Sequence, residues 1–413
     1  MRLGIIGAIG VDDIGDIVML EAGLKQLKNV GRNKSTNIDF TIFALDKQKA
    51  DNQIKKMNMN AKVTESLETK DLVLNSHENL HFSELLKIDL LSIINKSEFI
   101  FSFEECDALF FIGGGYFNGY WGNKLFPTFI IPIALGYQLK KPIFISGINI
   151  GPFSEEQINS LNGLFKKVDM LILRDRDRSI KMLKNLGGTE GKLILGADDI
   201  LPVWYERNCN YDSTEIEKNL KYAVIQLHHW VEMYSKSYIE FYKVIAAFFS
   251  DILNKKFIDR IYFLPFTYFK GADYECGRRL KTFMNDMNKY IVLEPTDDHI
   301  YMRELISKSK FVIGSRYHPI IYGLGEQVPT LGIYVNDLYK QKMSGAYDSV
   351  EVKKEDNMIY INDISQKRLM KWYADIDKNY NNIQYKNKVN LINQYDFVRK
   401  SSMENFISKI KFR

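Results

Sequence analysis

The stretch Phe311-Val-Ile-Gly-Ser-Arg316-Tyr-His318-Pro319 changes character halfway along. Its first residues form an apolar run that closes on Gly314, which reads as a buried strand. Ser315 can then cap a helix, and Pro319 suits the first helical turn because it has no N–H to lose there. A strand that passes straight into a helix is one junction of a βαβ unit, and such units build parallel sheets.

The same alternation extends both ways from this junction. Around it, strand-like runs at Tyr222–Leu227, Arg260–Phe266, Tyr290–Leu293 and Thr330–Tyr334 are separated by helix-period segments at Ser237–Leu253, Tyr274–Asn288, Asp298–Ser309 and Ile320–Gly325. The first half has runs at Leu3–Ile9, Ile38–Leu45, Ala108–Ile112, Pro142–Ile150 and Met170–Leu173. Its helices are expected at Asp16–Lys28, Phe126–Leu139, Glu155–Lys166 and Asp177–Leu186. Runs apolar throughout mean strands covered on both faces. The text between Trp204 and Ser213 is polar and irregular and marks a boundary. The expectation is an α/β chain with two doubly wound Rossmann-like domains, 1–208 and 209–350, facing a cleft. That arrangement is like GT-B glycosyltransferases. C-terminal helices follow in 351–413, where Met403, Phe406, Ile407 and Ile410 make one apolar stripe.

Composition narrows the class. With 413 residues, 46% hydrophobic and 26% charged, the chain suits a two-domain soluble enzyme. Its three cysteines, Cys106, Cys209 and Cys276, are far apart, which argues against a disulfide framework or a structural zinc site and for a reducing compartment. Met1–Ile9 has no basic leader, and no apolar run approaches the roughly 18 residues of a membrane span. A cytoplasmic location is expected. The net charge of +5 lies in 351–413, where 13 Lys/Arg face 8 Asp/Glu, while the remainder balances at 43 against 43. A neutral body speaks against a nucleic-acid partner. The basic pairs Lys353-Lys354, Lys367-Arg368 and Arg399-Lys400 suggest at most weak peripheral contact with an anionic membrane surface, at its inner face.

Four strand-to-helix junctions could carry chemistry, since such places gather unpaired N–H groups and the positive end of a helix dipole. At the first, Arg316 offers a planar fork for a carboxylate or phosphate and His318 a group that titrates near neutrality; a salt bridge and a turn cap are the plain alternatives. At the second, Gly113-Gly114-Gly115 after an apolar strand allows close backbone approach by a ligand, or is a flexible bend. The third is Asp13-Ile-Gly15-Asp16, with Asp16 the expected cap. The fourth is Ile148-Asn149-Ile-Gly151-Pro152, a turn. His228-His229 closes a strand and can face a ligand or form a structural pair; His77, His81 and His299 fit no pattern, and Asp198-Asp199 reads as a loop. No metal motif, Walker motif or G-x-G-x-x-G is present, so neither metal nor cofactor is expected.

In order and spacing these pieces resemble the polysaccharide pyruvyl transferase family. Its N-x-G-D is similar to Asp13-Ile-Gly15-Asp16, with Asp13 where the family usually has asparagine. Its glycine-rich strand end is similar to Asp107 through Gly115, and its G-x-x-x-G-P to Gly147 through Pro152. Its R-D…S…L-G resembles Arg174-Asp175…Ser179…Leu186-Gly187, with Arg174 or Arg176 as the matching arginine. Its G-A-x-D resembles Gly196 through Asp199. The late R-x-H, V-P, Tyr and Lys resemble Arg316, His318, Val328-Pro329, Tyr334 and Lys342, or Lys340.

The resemblance implies an enzyme of cell-surface polysaccharide synthesis that moves the enolpyruvyl unit of phosphoenolpyruvate onto a sugar hydroxyl pair, giving a pyruvyl ketal. It implies that Arg316 holds the donor's carboxylate or phosphate, that His318 is the acid or a donor-binding group, and that Lys342 adds a point charge; Ser315 and His229, the latter an alternative acid, are further candidates in the donor-side domain. Gly113, Gly114, Gly115, Asp16, Asn149 and Arg174 would then serve the acceptor, a sugar or lipid-linked oligosaccharide. A GT-B-like glycosyltransferase using a nucleotide sugar, or a non-catalytic sugar- or nucleotide-binding relative, are the alternatives.

Overall fold

The computed structural model describes residues 1–73, 80–203, 220–267, 270–379 and 389–411. His77, Cys209 and the expected boundary at Trp204–Ser213 lie outside the described residues. The chain divides into two compact units. The first contains Met1–Val11, Asp16–Val203 and Gln394–Arg413; the second contains Asp12–Gly15 and Trp204–Asn393. The segment 351–413, expected to stand by itself, is therefore shared between them.

The first unit is built on eight parallel strands: β1 (Arg2–Ile6), β2 (Asp39–Ala44), β3 (Lys62–Glu65), β4 (Ala108–Phe111), β5 (Gly114–Phe117), β6 (Ile143–Ile150), β7 (Met170–Leu173) and β8 (Lys192–Leu195). Their order is β3-β2-β1-β4-β6-β7-β8, with β5 paired to the far end of β6. Side chains alternate across this sheet, as a pleated strand demands. Leu109 and Phe111 enter one apolar cluster, while Ala108 and Phe110 enter another. The sheet is thus buried on both faces, in keeping with the continuous apolar runs.

The helix Val389–Lys411 supplies Met403, Phe406 and Ile407 to the second of these clusters, and Phe406 meets Phe144 edge-on with centroids 5.3 Å apart. The apolar stripe of the tail is core. Its basic pair Arg399-Lys400 is also engaged: Arg399 is 4% exposed and binds Asp199, and Lys400 pairs with Asp396. Among the described residues no helix is long and apolar enough to cross a membrane.

The second unit has six parallel strands: β9 (Tyr222–Gln226), β10 (Arg260–Phe263), β11 (Tyr290–Val292), β12 (Val312–Gly314), β13 (Thr330–Tyr334) and β14 (Met358–Tyr360). Their order, β11-β10-β9-β12-β13-β14, is that of a dinucleotide-binding half-and-half sheet, in which the winding direction reverses between β9 and β12. Strand β14 extends the edge inside a segment expected to be helical. Crossover helices include Tyr238–Asn254, Ala272–Thr282 and Tyr317–Gly325.

The carboxyl ends of the first sheet hold a buried polar network that explains several glycines. Asp199 is fully buried; its carboxylate accepts from the Gly113 N–H at 3.0 Å and the Ser146 hydroxyl at 2.9 Å, and lies 3.0 Å from Arg399. A Cβ on Gly113 would fall 2.8 Å from this carboxylate. One on Gly147, which has φ +42°, would fall 2.2 Å from Oδ1. Gly147→Ala should therefore cost about 2–4 kcal/mol, combining left-handed backbone strain with a displaced buried ion pair. Gly163→Ala, at φ +84° with open space around it, carries only the backbone part, about 1–2 kcal/mol. Denaturant unfolding of the two variants measures the difference, and equal losses would contradict the packing role given to Gly147.

Candidate active site

Strands β9 and β12 lie side by side, with Gln226 paired to Gly314. Their carboxyl ends are the switch point of the second sheet, the place where such sheets receive ligands. The Ser315 N–H still bonds the Gln226 carbonyl at 3.1 Å, so the two loops leave the sheet together. Arg316 then turns out of the sheet with extended backbone, and the buried helix Tyr317–Gly325 begins. Ser315, expected to cap this helix, instead accepts the His228 N–H at 2.6 Å and ties the two loops to each other.

Arg316 is held by two carboxylates. Its Nε and Nη2 form a fork onto Asp273 at 2.6 and 2.9 Å, and its Nη1 reaches Asp13 Oδ2 at 2.9 Å. Gln226, fully buried, braces the arrangement: it accepts the Arg316 N–H at 3.0 Å and donates to Asp273 at 3.0 Å. Burial lowers the Arg316 pKa, but the charges of Asp273 and Asp13 outweigh it and push it up. Three of the five guanidinium N–H groups are committed, which leaves two for a ligand.

Asp13 also serves His318. Its Oδ1 lies 3.1 Å from His318 Nδ1 and accepts the Gly15 N–H at 2.9 Å. The cap of the helix Ile14–Asn33 is therefore Asp13, where Asp16 was expected. A Cβ on Gly15 would sit 1.8 Å from His318 Nδ1, so only glycine lets the ring approach. An antiparallel bridge between Asp13 and Thr267 fixes this short segment within the second unit. Burial pushes the Asp13 carboxyl up, yet the hydrogen bond and charge of His318, with Arg316 and the Gly15 N–H, hold it well below the usual carboxylate range. The other nitrogen of His318, Nε2, is buried without a hydrogen-bond partner.

His228 and His229 stand beside this cluster with ring centroids 4.1 Å apart. His228 Nδ1 accepts from the Trp230 N–H at 3.3 Å, so its neutral ring carries the proton on Nε2. Burial, followed by the charges of Arg316 and His229, pushes the His228 pKa down to about 2. Burial and Arg316 likewise lower that of His229, whose Nδ1 is buried without a partner. Lys342 lies over the Tyr339 ring, and its charge reaches His228; Lys340 lies over Tyr334. Of the two candidate lysines, Lys342 is the one beside the cluster. Together with Asp273, the two histidines could each bring a ligand atom within 4.8 Å of the others. Two members of that set are already engaged: Asp273 accepts from Arg316 and Gln226, and His228 Nδ1 from Trp230.

The remaining candidates fall in the first unit. Asn149 and Arg174, 1% and 2% exposed, are bonded to each other at 2.5 Å. Arg174 also pairs with Asp198 at 2.6 Å, and Asn149 with Asp175 at 2.7 Å. Arg176, the alternative to Arg174, bonds Tyr395. Gly113 serves Asp199, and a Cβ on Gly114 would meet the Tyr116 ring at 2.6 Å; Gly115 opens β5 with Gly114. His81 caps the short helix Phe82–Leu85 and His299 opens the helix His299–Ser307, both away from this cluster in sequence. Asp273 and Gln226, central to the cluster, carried no motif; the acidic first turn of Ala272–Thr282 and the polar end of an apolar strand were the available signals.

Burial of a neutral His228 has a consequence for stability. The unfolded chain takes up its proton near the ordinary value of 6.5, whereas the folded chain does so only near 2. Stability is therefore full above about pH 6.5 and falls as pH drops below it, by up to ~1.4 kcal/mol per pH unit. Denaturant midpoints measured on the acid side should fall more steeply for the native chain than for His228→Gln. Parallel slopes would mean that His228 is not held neutral.

A sequence profile of the polysaccharide pyruvyl transferase family matches residues 13–337. The amylovoran biosynthesis protein AmsJ of Erwinia amylovora is 31% identical over 102 residues, a stretch covering 24% of this chain and 23% of AmsJ. Among solved structures, the UDP-GlcNAc 2-epimerase of Neisseria meningitidis bound to UDP-GlcNAc superposes with a TM-score of 0.60 at 10% identity, over 98% of this chain and 100% of that one. S. aureus MnaA with UDP gives 0.57 at 12% identity, over 93% and 89%. At such identities the likeness shows the fold, a GT-B fold with two parallel-sheet α/β units. The family match takes in every strand of the two sheets except β1 and β14, together with the whole Asp13–Arg316–His318 constellation, and the chain belongs to the polysaccharide pyruvyl transferase family.

Proposed function

We propose that this chain transfers the enolpyruvyl unit of phosphoenolpyruvate to two hydroxyls of a sugar in a surface polysaccharide or its lipid-linked precursor. The observation that carries this reading is the Arg316–Asp13–His318 constellation at the β9/β12 switch point, with one buried histidine nitrogen left unpartnered. The reaction needs a proton for the methylene carbon, a receptor for a phosphorylated carboxylate and an acceptor for a hydroxyl proton. His318 Nε2 gives its proton to C3, whose new C–H bond uses the π pair of the C2=C3 bond. The first sugar hydroxyl attacks C2, and its proton passes to the vacated Nε2. The C2–O bond to phosphate then breaks with its electron pair, the second hydroxyl closes the ketal, and its proton leaves with the phosphate.

Donor binding falls to several groups in the second unit. The two uncommitted N–H groups of Arg316, the Lys342 charge, the Nε2–H of neutral His228 and the N-terminus of the helix Tyr317–Gly325 all suit an anion. Because Asp13 and Asp273 more than balance Arg316, a protonated His318 also compensates the donor's charge. His229 and Ser315 shape the same loops. On the acceptor side, Asn149, Arg174 and Gly113 act by fixing the strand ends of the first sheet, and Asp16, Gly114 and Gly115 lie at the starts of the elements that follow.

Phosphate release from phosphoenolpyruvate, followed with candidate lipid-linked sugars and by mass analysis of the product, tests the reading. Release without any ketal, or turnover of a nucleotide sugar instead, would refute it. Within it, His318→Gln should lower kcat by ~10²-fold or more, since an amide has no proton to give to carbon. Arg316→Lys keeps the charge but loses the fork, and should abolish most activity, measured on the folded fraction because Asp273 is left poorly paired. Near-native turnover in either variant would remove the corresponding role.

A further inference from the structure

His318 can exchange a proton through Nε2 only if something fixes which of its nitrogens carries the hydrogen in the neutral ring. Three observations bear on this. Asp13 Oδ1 lies 3.1 Å from Nδ1. Asp13 is held ionised, and an ionised carboxylate only accepts, so the hydrogen of the pair belongs to Nδ1. Nε2 is buried and has no protein partner. The other groups facing the ring are the Arg316 guanidinium, which shares Asp13 through Oδ2, and the Tyr317 ring, 5.3 Å away.

We propose that Asp13 is a positioning residue for the transfer: one carboxylate oxygen fixes the Nδ1–H tautomer and plane of His318, and the other fixes Arg316. Nε2 is thereby the nitrogen that gives the proton to the methylene carbon and takes the one from the hydroxyl, as carboxylate-supported histidines do elsewhere. The bridge also sets the distance between the anion-binding group and the proton donor, which a single-residue contact would not do. Gly15 is part of the device, since any side chain there would displace the ring.

This inference rests on the transfer reading for its kinetic consequence but has a readout that does not. In the full chain labelled with ¹⁵N-histidine, two-bond ¹H–¹⁵N correlations report the tautomer of each neutral ring, with His318→Gln identifying the signal. The native chain should show neutral His318 with hydrogen on Nδ1. Asp13→Asn, which keeps an acceptor oxygen, should retain that tautomer, while Asp13→Ala should revert to hydrogen on Nε2. Asp13→Ala should lower kcat by ~10²-fold with KM changed no more than ~3-fold, and Asp13→Asn should lose distinctly less. A native His318 protonated on Nε2 would overturn the proposal, as would an Asp13→Ala enzyme that keeps kcat. If the alanine chain does not fold, Asp13→Asn decides: a lost tautomer with full kcat overturns the role, and a retained tautomer with partial kcat supports it. If no phosphate is released by the native chain with any sugar, the functional reading fails while the tautomer spectrum still decides the positioning.

Discussion

A single carboxylate organises the buried polar cluster of the second unit. Asp13 has two oxygens and both are assigned, one to His318 Nδ1 and one to Arg316 Nη1. Without it, a guanidinium and an imidazole two residues apart would be free to rotate independently. With it, their separation is set by the width of a carboxyl group. The cost of burying such a cluster is met by completeness: Asp273 takes the other edge of Arg316, and Gln226 bonds both. Buried charge of this kind stabilises little by itself, but losing one member would strand the others. That is the energetic reason for so many polar side chains at one strand end.

The first unit applies the same principle to a different purpose. Asn149, Arg174, Asp175, Ser179 and Asp198 bond to one another across the ends of β6 and β7, and Asp199 with Arg399 fastens the last helix to the sheet. The glycines at 113 and 147 leave room for the Asp199 carboxylate. A glycine-rich strand end invites the expectation of a ligand; in this case the guest is a side chain of the same unit. The network ties the strand ends of the sheet to one another and to the last helix.

The central strands of both sheets were legible because they are apolar on both faces. Ala108–Phe111, Met170–Leu173 and Thr330–Tyr334 stand where their runs of Ile, Leu and Phe put them. The strands that escaped, β3, β8 and β14, all lie at sheet edges, where one flank needs no cover and short sequences such as Lys-Val-Thr-Glu suffice. β5 escaped because its Gly-Gly-Tyr-Phe sequence reads as a turn. In the site, Arg316 and His318 stood out by their place at a junction. Asp273 and Gln226 did not, because their partners are 43 and 90 residues away and only the sheet order brings them together. Asp13 was visible within a motif, but its partners are 303 and 305 residues on, beyond any local pattern.

We propose the β9/β12 switch point as the seat of phosphoenolpyruvate. The most direct measurement is a crystal structure of the His318→Gln chain soaked with phosphoenolpyruvate, with UDP as the competing ligand. The expected result is the donor bound by Arg316 and Lys342, with its methylene carbon facing residue 318. Phosphoenolpyruvate absent from this site, with UDP bound there in its place, would contradict it.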